Sequence, residues 1–205
     1  GTLVTGGGGL LGSAVLRRLH GSVVCAGRSP VEGFPHLRVE LDRLPADLGV
    51  RVAAVVTLAG LVLHRDGGRR EMARVNVRGA MRVAELARAN PGCHVVHAST
   101  SGVGAPFDYY ETKREAEDGL TAYCREHGVP LACLRFPQLH GAGPDCEGFR
   151  RSTAVIRRCL AGRPRLQFGG TVCFADVDRV AAAVVRAAET RACGVFDLGG
   201  HAYPV

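Results

Sequence analysis

Four consecutive glycines, Gly6 to Gly9, constrain this chain more than any other feature. They follow Leu3-Val4-Thr5 directly and lead into Leu10-Leu11-Gly12. A strand that runs into a glycine-rich turn and then a helix lets the backbone approach a ligand closely. The helix start then turns its free N–H groups and positive dipole end toward bound phosphates. Two registers fit. Gly7, Gly9 and Gly12 satisfy G-x-G-x-x-G, and Gly6, Gly9 and Gly12 satisfy T-G-x-x-G-x-x-G. Both predict a dinucleotide pyrophosphate held against the turn by Gly6, Gly9, Leu10, Leu11 and Gly12.

The rest of the chain alternates strand and helix signals. Strands are predicted at Leu3–Thr5, Val23–Ala26, Leu37–Leu41, Ala53–Leu58, His94–Ala98, Leu131–Phe136 and Val195–Leu198. Helices are predicted at Leu10–His20, Arg69–Ala89, Asp108–His127, Ser152–Ala161 and Val177–Glu189. Short apolar strands separated by helices argue an α/β fold: a Rossmann-type, doubly wound parallel sheet with helices on both faces. A chain of 205 residues suits one such domain, 1–205, with substrate-binding segments at about 136–175.

An acid at the end of the second strand would hold the ribose 2′-hydroxyl of NAD. The sequence there is Gly27-Arg28-Ser29. A cation and a hydroxyl suit a 2′-phosphate, so NADP(H) is favoured over NAD(H). Asp42, after the third strand, is a further candidate contact to the adenine.

Tyr109-Tyr110-Glu111-Thr112-Lys113 puts a phenol and an ammonium at i and i+4, on one helical face. An ammonium beside Tyr109 would lower its pKa and make it a usable acid or base. Lys113 is the only lysine among 26 basic residues. In a chain so biased to arginine, a lysine marks a place where a compact ammonium is needed.

Together these stretches resemble the short-chain dehydrogenase/reductase superfamily, in its extended branch of NAD-dependent epimerases and dehydratases. The similarity covers LVTGGGGLLGS (3–13), VVTLAG (55–60), NVRGAMRVAELA (76–87), VVHASTSGVGA (95–105), YYETKREAE (109–117), LRFPQLHGAGP (134–144) and FADVDRVAAAV (174–184). The resemblance implies that Tyr109 is the general acid/base and that Lys113 tunes it and binds the nicotinamide ribose. It implies that Thr100, with Ser99 as the fallback, orients the substrate oxygen. Asn76 would support the lysine or the cofactor pocket. Leu58, Ala59 and Gly60 would pass under the cofactor, and Phe136 and Pro137 would lie near the nicotinamide. Helix-mediated homodimers are common in the family, so a homodimer is a further expectation.

Three departures shape the substrate expectation. Only nine positions separate Thr100 from Tyr109, Gln138 stands where many relatives have an asparagine, and Val172 where many have an arginine. They favour net oxidation or reduction of a smaller carbonyl/alcohol pair. Epimerisation or dehydration of a nucleotide sugar is the alternative. A non-catalytic dinucleotide-binding protein is a second alternative, which the retained Tyr109/Lys113 pair disfavours.

The formal charge of +7 comes from scattered arginines with no interleaved aromatics, so nucleic acid is not expected as a partner. No apolar run reaches the roughly 18–20 residues a spanning helix needs, and no membrane partner is expected. The eight cysteines show no C-x-x-C spacing and the histidines no metal spacing, so no metal is expected. Buried free thiols suit a reducing, cytoplasmic setting. His140 is a candidate for the substrate pocket. Asp176 and Asp178 read as a helix start.

Overall fold

A computed structural model describes residues 1–62, 68–144, 161 and 171–204. Its main sheet contains β1 (Thr2–Thr5), β2 (Val23–Gly27), β3 (His36–Arg38), β4 (Ala54–Thr57), β5 (His94–Ala98), β6 (Leu131–Arg135) and β9 (Gly194–Asp197). The order is β3-β2-β1-β4-β5-β6-β9, and every pairing is parallel.

Consecutive residues of a strand point to opposite faces. Val4, Val56 and Val96 therefore enter one core, against α1 (Leu10–Leu16) and α5 (Val177–Thr190). Their neighbours Leu3, Val55 and Val95 enter the other core, against Val83, Leu86 and Ala87 of α3 (Gly79–Ala89). Ala80 and Ala84 of α3 then receive Ala116 and Leu120 of α4 (Asp108–Glu126). Burial on both faces is why these strands read as unbroken apolar runs.

Three predicted elements change. The helix from Leu10 ends at Leu16, and bonds to the Val15 carbonyl from Arg18 N, three residues on, and from Leu19 N, four residues on, carry the turn onward. The predicted Leu37–Leu41 strand shrinks to three residues and is followed by a 3₁₀ turn at Leu41–Arg43. The predicted Arg69–Ala89 helix is α2 (Gly68–Ala73), a π-helical stretch (Arg74–Arg78) and α3. The helix from Ser152 falls, except for Ala161, outside the described residues.

A second sheet was not legible beforehand. It joins β10 (His201–Pro204), β8 (Thr171–Asp176) and β7 (Gln138–His140) in that order. It is built from the C-terminal third of the chain. Asp176, as expected, caps α5: its carboxylate accepts from Asp178 N at 2.9 Å and Arg179 N at 3.0 Å.

Candidate dinucleotide and active site

The strand order reverses between β1 and β4. In a doubly wound sheet such a switch opens a crevice beyond the carboxyl ends of the two strands. The glycine turn sits there. Gly6 has φ +74°, and a Cβ on it would lie 2.6 Å from Ala59 N. Gly12 is closed by backbone: a Cβ would lie 2.1 Å from the Gly6 carbonyl oxygen. A Cβ on Gly9 would lie 3.3 Å from that same oxygen. At Gly7 the nearest neighbour is the flexible end of Leu16, and at Gly8 only Val31 comes within 4.0 Å. Of the two registers, the spacing Gly6-x-x-Gly9-x-x-Gly12 is the one the packing requires. No side chain caps the start of α1 and no acid occupies its first turn. This bare, uncharged cradle fits a pyrophosphate.

The β4 end is tied to the same place. Leu58 N donates to the Thr5 carbonyl at 3.1 Å, and Ala59 N to Thr5 Oγ1 at 3.4 Å. Arg28 and Ser29 are exposed just beyond β2, and Arg28 has no hydrogen-bonding or ionic partner among the described residues. Arg74 takes one carboxylate oxygen of Asp42, Oδ1, in an ion pair and also holds Glu71.

Asn76 is buried in the π-helical stretch, which turns its amide toward the β4 exit. Its Oδ1 accepts from Leu61 N at 2.8 Å. Its Nδ2 donates to the Leu61 carbonyl at 3.0 Å and to Thr112 Oγ1 at 3.1 Å. π-bulges inside helices are frequent at functional sites. Here the bulge links the loop after β4 to α4, one residue before Lys113.

Tyr109 and Lys113 occupy the first turns of α4 as expected, but their coupling differs from expectation. Lys113 is buried, and its Nζ donates to the Ala98 carbonyl at the end of β5. Burial pushes its ammonium down to about 8, against opposing effects of Cys133 and Glu117. Tyr109 is not lowered. Burial, with a smaller effect of Tyr110, pushes its phenol up to about 12. Desolvation of the ring outweighs any help from the ammonium.

Thr100 is buried at the end of β5, with Oγ1 accepting from Gly102 N at 3.3 Å. Ser99 donates instead to Glu117 at 2.7 Å, so its hydroxyl is directed away from the Tyr109 end of α4. Phe136 is half-buried at the end of β6 and packs on the main core. His140 lies in the second sheet, its ring 6.4 Å from that of Phe174. Gly143 closes on Leu10, bringing the chain after β7 over the glycine turn. Gln138 is exposed on β7, and Val172 lies on β8.

Sequence reasoning gave no role to Glu117 or Arg135. Glu117 is buried on α4, where it meets Ser99 and forms an ion pair with Arg135 of β6. The signal was present: a carboxylate one turn beyond Lys113, on the apolar face of an amphipathic helix.

Among the described residues, no group of His, Cys, Asp and Glu could hold a metal ion. No described helix is long and apolar enough to cross a membrane. Of the described cysteines, Cys25, Cys93, Cys124 and Cys133 are buried free thiols, while Cys173 and Cys193 are exposed.

The sheet order, the glycine cradle at its switch point and the helix carrying Tyr109 and Lys113 define a dinucleotide-binding α/β domain. The model of the NAD dependent epimerase/dehydratase family matches residues 2–199, and the chain belongs to that family. No curated protein sequence matches it. Among solved structures it is similar to MoeE5 in complex with UDP-glucose and NAD, at 28% identity and a TM-score of 0.81, covering 100% of this chain and 78% of that one. It shares its fold with a UDP-N-acetylglucosamine 4-epimerase from Methanobrevibacter ruminantium M1 in complex with UDP-N-acetylmuramic acid: 18% identity, TM-score 0.83, covering 100% and 78%. It shares it also with the Thermus thermophilus UDP-glucose 4-epimerase complex with NAD: 22% identity, TM-score 0.78, covering 99% and 79%. The family is NAD-dependent, and the preference for NADP(H) read from Arg28 and Ser29 gains no support from these relatives.

Proposed function

We propose that this chain oxidises and re-reduces an alcohol carbon of a nucleotide sugar, as an epimerase or dehydratase, with Tyr109 moving the proton. The observation that carries the reading is the arrangement at one crevice: the Gly6/Gly9/Gly12 cradle at the switch point, and Tyr109 and Lys113 on the helix after β5. The similarity to MoeE5, seen with UDP-glucose and NAD, supports a nucleotide sugar over a smaller carbonyl compound. Membership of the epimerase/dehydratase family supports a catalyst over a binding protein.

The cradle residues Gly6, Gly9, Leu10, Leu11 and Gly12 would hold the pyrophosphate. Leu58, Ala59 and Gly60 would lie beneath the cofactor. Asn76 and Lys113 would serve its nicotinamide ribose side, and Phe136 would flank the ring. When bound, the dinucleotide supplies a hydride acceptor that can return what it takes. Thr100 orients the substrate hydroxyl. Tyr109 Oη takes its proton as the carbon loses hydride, and gives the proton back in the reverse step. Such a cycle consumes no net cofactor, so it works with NAD as well as NADP. The test is incubation with UDP-, dTDP- and GDP-sugars and NAD, followed by product analysis for epimers and dehydrated sugars. Turnover of at least one is expected. Reduction of simple carbonyl compounds with no binding of any nucleotide sugar would restore the small-substrate reading.

Arg28 carries a second expectation. A guanidinium with no partner among the described residues makes a charge-assisted contact to a 2′-phosphate and gains little from a ribose hydroxyl. Arg28→Ala should weaken NADPH binding about tenfold, corresponding to about 1.4 kcal/mol. NADH binding should stay within about twofold, because no charge-assisted contact to it is lost. Calorimetry with both cofactors reads the difference. Equal losses for the two would remove Arg28 from the ribose site.

A further inference from the structure

Helix α4 grips the end of β5 at two successive turns. Lys113 Nζ donates to the carbonyl of Ala98. One turn later, Glu117 Oε2 accepts from the hydroxyl of the next strand residue, Ser99, at 2.7 Å. The same carboxylate is forked by Arg135 on β6, whose Nε lies 3.1 Å from both oxygens. Arg135 reaches toward the surface, whereas Glu117 is 3% exposed. Ser101 continues the chain of contacts, donating to Asp197 of β9 at 3.3 Å.

The burial of Glu117 is not explained by stability. Taking its carboxylate out of water costs several kcal/mol, its partner Arg135 stays 33% exposed, and an apolar side chain of similar volume often serves as well. What the site does need is a negative charge near Lys113. That ammonium is buried against a neutral carbonyl, with no carboxylate in contact among the described residues. The groups that face it are His97 from β5, Cys133 from β6 and Glu117 from its own helix. His97 is held well below the ordinary imidazole range by burial and by Lys113 itself, and is neutral. Burial pushes the Cys133 thiol up to about 12, so it too is neutral. Glu117 is the anion of the set.

We propose that Glu117 is a positioning residue: its carboxylate, fixed by Ser99 and Arg135, holds the α4–β5 junction and keeps the Lys113 ammonium charged for its work beside Tyr109. The proposal rests on the Tyr109/Lys113 reading for its consequence in turnover. It also makes a statement about Lys113 that needs no substrate.

The lone lysine makes the test direct. Lysine labelled with ¹³C at Cε gives a single resonance from this chain, assigned without a mutation. In the wild type its titration midpoint is expected at about 8. Glu117→Gln keeps the size and a hydrogen-bond acceptor for Ser99 but removes the charge. The midpoint should then fall by about one pH unit or more, the effect of losing an opposite charge nearby. Glu117→Asp should recover part of that shift. If Glu117→Gln does not fold, the pair Glu117→Gln/Arg135→Met removes both charges and should lower the midpoint in the same direction. An unmoved midpoint in either folded variant overturns the proposal. Turnover of Tyr109→Phe, measured in parallel, separates the two readings. If it stays normal while the midpoint moves, the catalytic reading fails and the link from Glu117 to Lys113 stands. If it collapses while the midpoint stays fixed, only the Glu117 proposal fails.

Discussion

Tyr109→Phe is expected to lower kcat by about 10²–10⁴-fold, the usual contribution of a general acid–base group. Cofactor binding should be nearly unchanged. The substitution removes one oxygen and leaves the ring, which packs edge-on against Tyr110 with centroids 5.2 Å apart. Packing and the start of α4 therefore survive. Lys113→Arg should fail as well, for a different reason. Lys113 is buried, and its Nζ reaches one carbonyl, Ala98, at the end of β5. A planar guanidinium is larger, carries five donors and does not shed its charge, so it would leave donors unsatisfied there. Steady-state kinetics and cofactor titration of both variants provide the measurement. Near-normal turnover by Tyr109→Phe with a true substrate would remove Tyr109 from the chemistry.

The directions of the two pKa shifts give the expected pH profile. Tyr109, raised to about 12, keeps its proton at neutral pH and is poised as an acid. To act as a base it must be brought down, and the charged form of Lys113 favours that. Lys113, lowered to about 8, loses its charge as pH rises through that value. The step that needs Tyr109 as a base therefore has opposing demands on the alkaline side.

The fold was legible because its strands are buried on both faces. Val55 and Val56 face opposite cores, so the run AAVVTL carries no charge, and its one polar side chain, Thr57, is buried against the hydroxyl of Thr5. The glycine turn was legible for the same reason it works: a missing Cβ is visible in sequence as well as in space. The ambiguity between Gly6 and Gly7 was not resolvable there, since it turns on a contact to Ala59, 53 positions away from Gly6. The π-helical stretch was hidden because one extra residue in a helical turn changes which face Asn76 takes without changing composition. The small sheet was hidden by its short strands: β7 is Gln138-Leu139-His140, too brief to show a period. The ion pair of Asp42 was not legible because its partner, Arg74, lies 32 positions on and is met only through the fold. The Tyr109–Lys113 spacing was correctly placed on one helix. Its electrostatic consequence was not, because spacing says nothing about burial.

Gly12→Ala should be the most damaging single-methyl change in the glycine turn. Its Cβ would stand 2.1 Å from the Gly6 carbonyl oxygen and 2.7 Å from both the Cα and the carbonyl oxygen of Gly7. All three are backbone atoms of the turn, so no side chain can swing aside. Either α1 moves away from β1 or the turn opens, and both displace the surface that would receive the pyrophosphate. Forcing extra methylenes into a packed site typically costs about 1–3 kcal/mol. For a chain of this size that corresponds to a fall in Tm of about 5–10 °C at the upper end of that range. Dinucleotide affinity should fall by about 100-fold or more, because close approach of the backbone is what the glycine provides. Gly8→Ala is the contrast. Its Cβ would meet nothing nearer than Val31 at 4.0 Å, and Gly8 needs no positive φ. That variant should melt with the wild type and bind cofactor comparably. Thermal unfolding with titration of cofactor fluorescence distinguishes the pair. Gly12→Ala binding as tightly as the wild type would show that the closure of α1 on the turn does not shape the cofactor site.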